Sequence, residues 1–197
     1  MITTRGVLTV TAAATLAAGF IGVVRQRTEM TRVRRGDLAP ASAASVVDPL
    51  REPGRVGGAL AAWRPQRPTT VIGRFAAALW ASPLTTAGVV LGLLGGAVPR
   101  WDPVHGCLVA AGVRGPSGAA LAMVGADANT IGQVVLARHG QPSAALLSHE
   151  VAHVRQSERL GPFLLPAYVW LSARYGYRDH PLERAARDVA RGYPSKP

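Results

Sequence analysis

Residues 75 to 98, FAAALWASPLTTAGVVLGLLGGAV, run for 24 residues without a charge. A helix needs about 20 apolar residues to cross the hydrocarbon core of a bilayer, so this run is long enough to span. Pro83 interrupts it, which leaves two readings: a kinked span, or a hydrophobic helical hairpin laid against the domain C-terminal to it. A second uncharged run, residues 7 to 24, is 18 long and sits at the lower limit for spanning. Only Arg5 and the N-terminus precede it, and it ends without a clear Ala-x-Ala cleavage site. It reads as an uncleaved anchor, a signal-like segment, or a stretch ahead of a true start at Met30. Arg64, Arg67 and Arg74 stand before the longer run, Arg100 and Asp102 after it. The bias of basic residues toward the cytoplasm then puts Arg74 inside and the C-terminal part outside, and the arginines after the first run imply the same orientation.

The net charge of +11 comes almost wholly from arginine, with Lys196 the single lysine. Ten arginines fall in the first 70 residues, beside the apolar runs, with only Phe20 and Trp63 among them, too few aromatic residues to stack successive bases. That distribution suits membrane-flanking charge rather than nucleic-acid binding. The single cysteine, Cys107, excludes an intrachain disulfide and any multi-cysteine metal site.

Between the runs, residues 31 to 70 are rich in Pro, Gly, Ser and Arg. They predict a flexible basic linker with one short helix around Gly58 to Trp63. After residue 100 the pattern changes. VHGCLVAAGV, AALAMVG and TIGQVVLAR are short apolar segments separated by RGPSG and GADAN, which predicts three strands joined by tight turns. From Ser143, a candidate helix cap, Leu146, Leu147, Val151, Val154 and Leu160 recur at helical spacing up to Gly161. A second helix is expected through FLLPAYVWLSARYG, and a third from Pro181 to Gly192. The expected fold is α+β: a small antiparallel sheet, then this helix and two more, preceded by one or two hydrophobic transmembrane helices. The expected boundaries are 1–30 for the anchor, 31–70 for the linker, 71–100 for the hydrophobic helix, 101–192 for the domain and 193–197 for a tail.

The first helix of that domain carries LLSHEVAHVRQ. His149 and His153 are four residues apart and project from one face, where both imidazoles can reach one zinc ion. Glu150 is rotated about 100° from His149, so it is placed to act on water rather than to ligate. Catalytic zinc needs a third protein ligand and an open position. Among Glu158, Asp179, His180, Glu183 and Asp188, Glu158 lies too far along the same helix to turn back. Glu183 is preferred, in the first turn of the last helix, with small Ala186 one turn on to permit close packing. His180 is the second choice. Asp188 would accept a hydrogen bond from a ligand imidazole, while Arg155 and Gln156 point away from the metal by helical phase. Tyr168, Tyr175, Tyr177 and Arg178 are the candidate stabilisers of an oxyanion.

HEVAH with LERAARD downstream resembles the gluzincin pattern, HExxH and then a later ExxA, seen in thermolysin-like and membrane-embedded zinc proteases. HVRQSERLGPFLLPAY and YRDHPLERAA are similar to a group of bacterial HExxH proteins with a hydrophobic segment ahead of the motif. The resemblance covers roughly residues 70 to 190. It implies one zinc ion at His149, His153 and Glu183, a general base at Glu150, a sheet edge that binds extended substrate, and a bacterial cell membrane as the location. The expectation is a membrane-associated zinc metallopeptidase acting on a peptide or protein. The alternative is a non-catalytic zinc-binding membrane protein or interaction module, in which Glu150 has no task beside an open coordination position.

Overall fold

The structure is a computed structural model that describes residues 54–192 and, ahead of them, residues 24, 27–29, 31, 32 and 35. The apolar run 7–24, apart from its last residue, most of the linker before residue 54, and the tail 193–197 lie outside the described residues. Within residues 54–192, six α-helices and a four-stranded mixed sheet come in the order α1 (Gly54–Ala61), α2 (Val71–Leu94), β1 (Arg100–Asp102), β2 (Cys107–Ala111), α3 (Gly115–Met123), β3 (Ala128–Ile131), β4 (Val134–Ala137), α4 (Ala144–Leu160), a 3₁₀ turn (Gly161–Phe163), α5 (Leu164–Tyr175) and α6 (Pro181–Arg191).

The expected linker is only partly a linker. Residues 54 to 70 dock on the domain, because Leu60 and Trp63 pack onto the cluster of Leu164, Leu171 and Leu182. Arg64 also pairs with Asp188 at 3.2 Å, and Arg159 donates to the Gln66 carbonyl.

The long apolar run is a single helix, α2, rather than a hairpin. Thr70 caps it by accepting from Gly73 N at 3.0 Å. Pro83 removes the amide that would have bonded the Leu79 carbonyl, and the Ser82 hydroxyl donates to that carbonyl at 2.7 Å instead. By length and composition α2 is the one described helix able to cross a membrane. Its buried positions are Ala77, Ala81, Gly88 and Gly92. Small residues there let the helix backbone approach the sheet: a Cβ on Gly88 would stand 2.5 Å from the Ile131 carbonyl oxygen.

The sheet order is β1-β2-β4-β3. β1 is antiparallel to β2 (Arg100↔Val109) and β3 to β4 (Ala128↔Ala137), but β2 and β4 run parallel (Leu108↔Val134). Two expectations fail here. AALAMVG lies mostly in helix α3, not in a strand. Alanine favours helix, and Pro116 occupies the first turn, where its missing amide costs nothing. That helix forms part of the crossover that makes β2 and β4 parallel, so the sheet is mixed rather than antiparallel. TIGQVVLAR is likewise not one strand; it breaks into a hairpin at Gly132, whose φ of 64° suits a two-residue turn.

Alternation along β4 separates two cores. Val134 and Leu136 pack with Ala97, Ala110, Val113 and Leu121 on the α2–α3 side. Val135 and Ala137 pack with Cys107, Val109, Ala128 and Val154 on the α4 side. Ser143 caps α4 by accepting from Leu146 N at 3.3 Å, and Gly161 at φ 54° ends it. Helix α6 then returns across α4.

Candidate metal centre

Helical spacing brings His149 and His153 together on α4, and the chain returns through α5 to place Glu183 in the first turn of α6 against them. The Glu183 carboxylate straddles the pair. Its Oε2 lies 3.2 Å from His149 Nε2 and its Oε1 lies 3.2 Å from His153 Nε2. The two Nε2 atoms are themselves 3.2 Å apart. One donor atom from each residue can be chosen so that all three lie within 4.8 Å of one another, and the three close contacts approach the spacing of about 3.3 Å expected between ligands held at 2.0–2.1 Å around a tetrahedral ion. This group could hold a metal ion. The donor set fits a cation on a second count, since among the described residues the buried Glu183 Oε2 makes no well-aligned hydrogen bond, its contact with His149 Nε2 included.

The electrostatics of the cluster agree. Burial alone would raise the Glu183 carboxyl, but the two imidazoles hold it well below the usual carboxylate range. Burial pulls the His153 imidazole down, and the Glu183 carboxylate more than offsets this, raising it to about 9. In the absence of a metal, a proton occupies the negative potential that a cation would otherwise fill.

Neighbouring groups set the orientation of each donor. His153 Nδ1 meets Gln156 Oε1 at 2.8 Å, and the Gln156 amide donates to the Leu182 carbonyl at 3.2 Å. The Tyr168 hydroxyl donates to Glu183 Oε1 at 2.6 Å. Gln156 therefore holds the role expected of Asp188. Asp188 pairs instead with Arg64 and with Arg191, the latter at 3.0 Å. The expectation that Gln156 points away from the centre fails because a long amide reaches one turn back along its own helix.

His180 is not among the clustered donors. It is wholly buried and caps α6: Nδ1 accepts from Glu183 N at 3.4 Å while Nε2 donates to the Tyr168 carbonyl at 3.1 Å. Burial lowers its imidazole to about 4. Of the candidate oxyanion donors, Tyr175 packs on the Leu164, Leu171 and Leu182 cluster. Tyr177 lies under the Arg187 guanidinium, and the Glu183 carboxylate, together with burial, raises its hydroxyl. The Arg178 backbone is what the structure engages: its amide donates to Glu29 Oε2 at 3.0 Å.

Glu150 is buried, and its Oε2 accepts from the Thr130 hydroxyl at 2.6 Å. Burial raises its carboxyl, against the pull of His153 and His149. Thr130 belongs to β3, an edge strand, and so links the sheet edge to the motif. A cleft of about 330 Å³ lies alongside, lined by Asn129 to Gly132 of the hairpin, by Leu84, Ala87 and Leu91 of α2, by Leu164, Leu165 and Tyr168 of α5, and by His153 and Glu183. Comparison with protein-family profiles, with curated proteins and with solved structures found no match to this chain.

Proposed function

We propose that this chain is a membrane-associated, gluzincin-like zinc metallopeptidase, with His149, His153 and Glu183 as ligands and Glu150 as general base. The observation that carries the reading is the cluster of two imidazoles and one carboxylate, each pair in contact at 3.2 Å, beside a buried glutamate. A zinc ion held there would supply an open position at which water becomes acidic and a carbonyl is polarised.

Each of the neighbouring side chains has a task. Glu150 accepts a proton from the attacking water and delivers it to the leaving amine; its burial among imidazoles supports a proton affinity suited to both steps. Thr130 holds Glu150 Oε2, leaving the other carboxylate oxygen for this transfer. Gln156 and Tyr168 keep His153 and Glu183 in position. Among the described residues strand β3 pairs with β4 on one side only, and Asn129, Thr130 and Ile131 line the cleft. A free strand edge beside the base favours an extended peptide as substrate.

Zinc stoichiometry of wild type, Glu183→Ala and Glu150→Gln, with peptidase assays alongside, tests the reading. Metal should be lost in Glu183→Ala, and retained without activity in Glu150→Gln. Full zinc affinity in Glu183→Ala would remove Glu183 as a ligand. Unchanged activity in Glu150→Gln would remove the base.

A further inference from the structure

Arg74 and Arg100 bracket residues 75–99, Arg159 and Arg174 bracket residues 160–173, and neither stretch holds a charged side chain. The fold lays the two stretches side by side. The Trp80 and Phe163 rings stand 5.9 Å apart, and Trp80 Nε1 donates to the Arg159 carbonyl at 3.2 Å. Outward-facing residues on both stretches are large, apolar and exposed, with Leu79 at 65%, Phe163 at 63% and Leu165 at 57%. Single exposed apolar residues are ordinary, but a run of them across two adjoining elements marks an interaction surface. All four bracketing arginines are exposed as well. An apolar strip rimmed by arginine complements an anionic bilayer: apolar side chains enter the acyl region and arginines meet the headgroups.

Helix α2 is long enough to span alone, but its other face is taken. Ala77, Ala81, Gly88 and Gly92 are buried against the rest of the domain, so only the outer face is left for lipid. The cleft beside the donor cluster opens on that outer face. Ala87 and Leu165 both line the cleft and are both exposed, which puts its mouth between α2 and the start of α5.

We infer that this face docks into an anionic bilayer and that the centre receives its substrate laterally, as an apolar segment of a membrane-associated polypeptide. Docking stands on the surface alone; lateral delivery rests on the hydrolase reading above. Because Cys107 is fully buried, single cysteines placed at exposed positions can be labelled selectively.

The test uses the full zinc-loaded chain with a fluorophore on Leu79→Cys, Leu165→Cys or the control His139→Cys, which is exposed beside Asp127. Each is reconstituted into phosphatidylglycerol/phosphatidylethanolamine vesicles carrying nitroxide-labelled acyl chains. Nitroxide should quench the labels at positions 79 and 165 but not the control. Equal quenching by aqueous iodide at all three positions overturns docking. For delivery, a fluorogenic apolar peptide bearing a palmitoyl anchor should be cut on the order of tenfold faster than the unanchored peptide, through its higher local concentration. Equal rates overturn lateral delivery. Cleavage of neither peptide, with quenching intact, defeats the hydrolase reading, and delivery with it, and leaves docking standing.

Discussion

His153 and Gln156 face each other across one turn of α4, Nδ1 to Oε1 at 2.8 Å. Because the Gln156 amide nitrogen is committed to the Leu182 carbonyl, its oxygen is the acceptor, and the ring proton belongs on Nδ1. A metal bound at Nε2 would take the place of the proton that His153 otherwise shares with Glu183, with the ring orientation already fixed through Nδ1. One glutamine thus sets the tautomer of a candidate ligand and ties α4 to the helix that carries the third donor.

Removing that amide should weaken metal binding. Gln156→Ala is expected to lower zinc affinity about 10–100-fold, the usual effect of losing a ligand's orienting partner. Gln156→Glu, which still accepts from Nδ1, should retain most of it. Chelator competition measures both, with the melting temperature of the apo protein as a check on folding. Equal affinities in all three proteins would show that Gln156 is only structural.

Tyr168→Phe takes away the hydroxyl that donates to Glu183 Oε1. The carboxylate is almost wholly buried, so its oxygen would lose a partner at a cost of about 1–3 kcal/mol to apo stability. Urea denaturation of the metal-free protein reads this directly. A change below about 0.5 kcal/mol would mean that Glu183 re-pairs locally.

Acid stability should depend on His180. Its imidazole falls from 6.5 to about 4, chiefly because it is buried. The unfolded chain therefore binds more protons between those two values, and stability rises with pH across the window. The stabilisation is fully present above pH 6.5 and is lost as pH falls toward 4, on the order of 3 kcal/mol. Denaturation of wild type and His180→Asn between pH 4 and 7 tests it. Asparagine keeps a capping side chain but does not titrate, so the slope should flatten.

The hairpin should tolerate no side chain at its turn. A Cβ on Gly132 would lie 2.2 Å from Thr85 N, and its φ of 64° is strained for any L-residue. Gly132→Ala is expected to abolish or severely lower soluble expression. Gly88→Ala, which meets the Ile131 carbonyl on the same hairpin, should cost about 1–3 kcal/mol. Because Thr130 holds Glu150 from that hairpin, Gly88→Ala should also reduce any hydrolytic activity at unchanged zinc content. Wild-type stability in both variants would contradict the close packing of α2 on the sheet.

What could be read from the chain alone was what short-range geometry controls. Helical period puts His149 and His153 on one face, Ser143 and Gly161 delimit α4, and Pro181 opens α6. Glu183 could be placed beside the imidazoles because it starts the helix that returns across α4. The outcomes decided by tertiary structure were contacts between distant segments. AALAMVG has the apolar content of a strand, and its place between β2 and a parallel β4 accompanies its folding as a helix. His180 and Asp188 have the same chemical credentials as Glu183. What separates them is that Tyr168 and the α6 backbone engage the first, and Arg64 and Arg191 engage the second. Local periodicity says which way a side chain leaves its own helix. Which partner it meets depends on where the rest of the chain comes back, and that is settled only by packing.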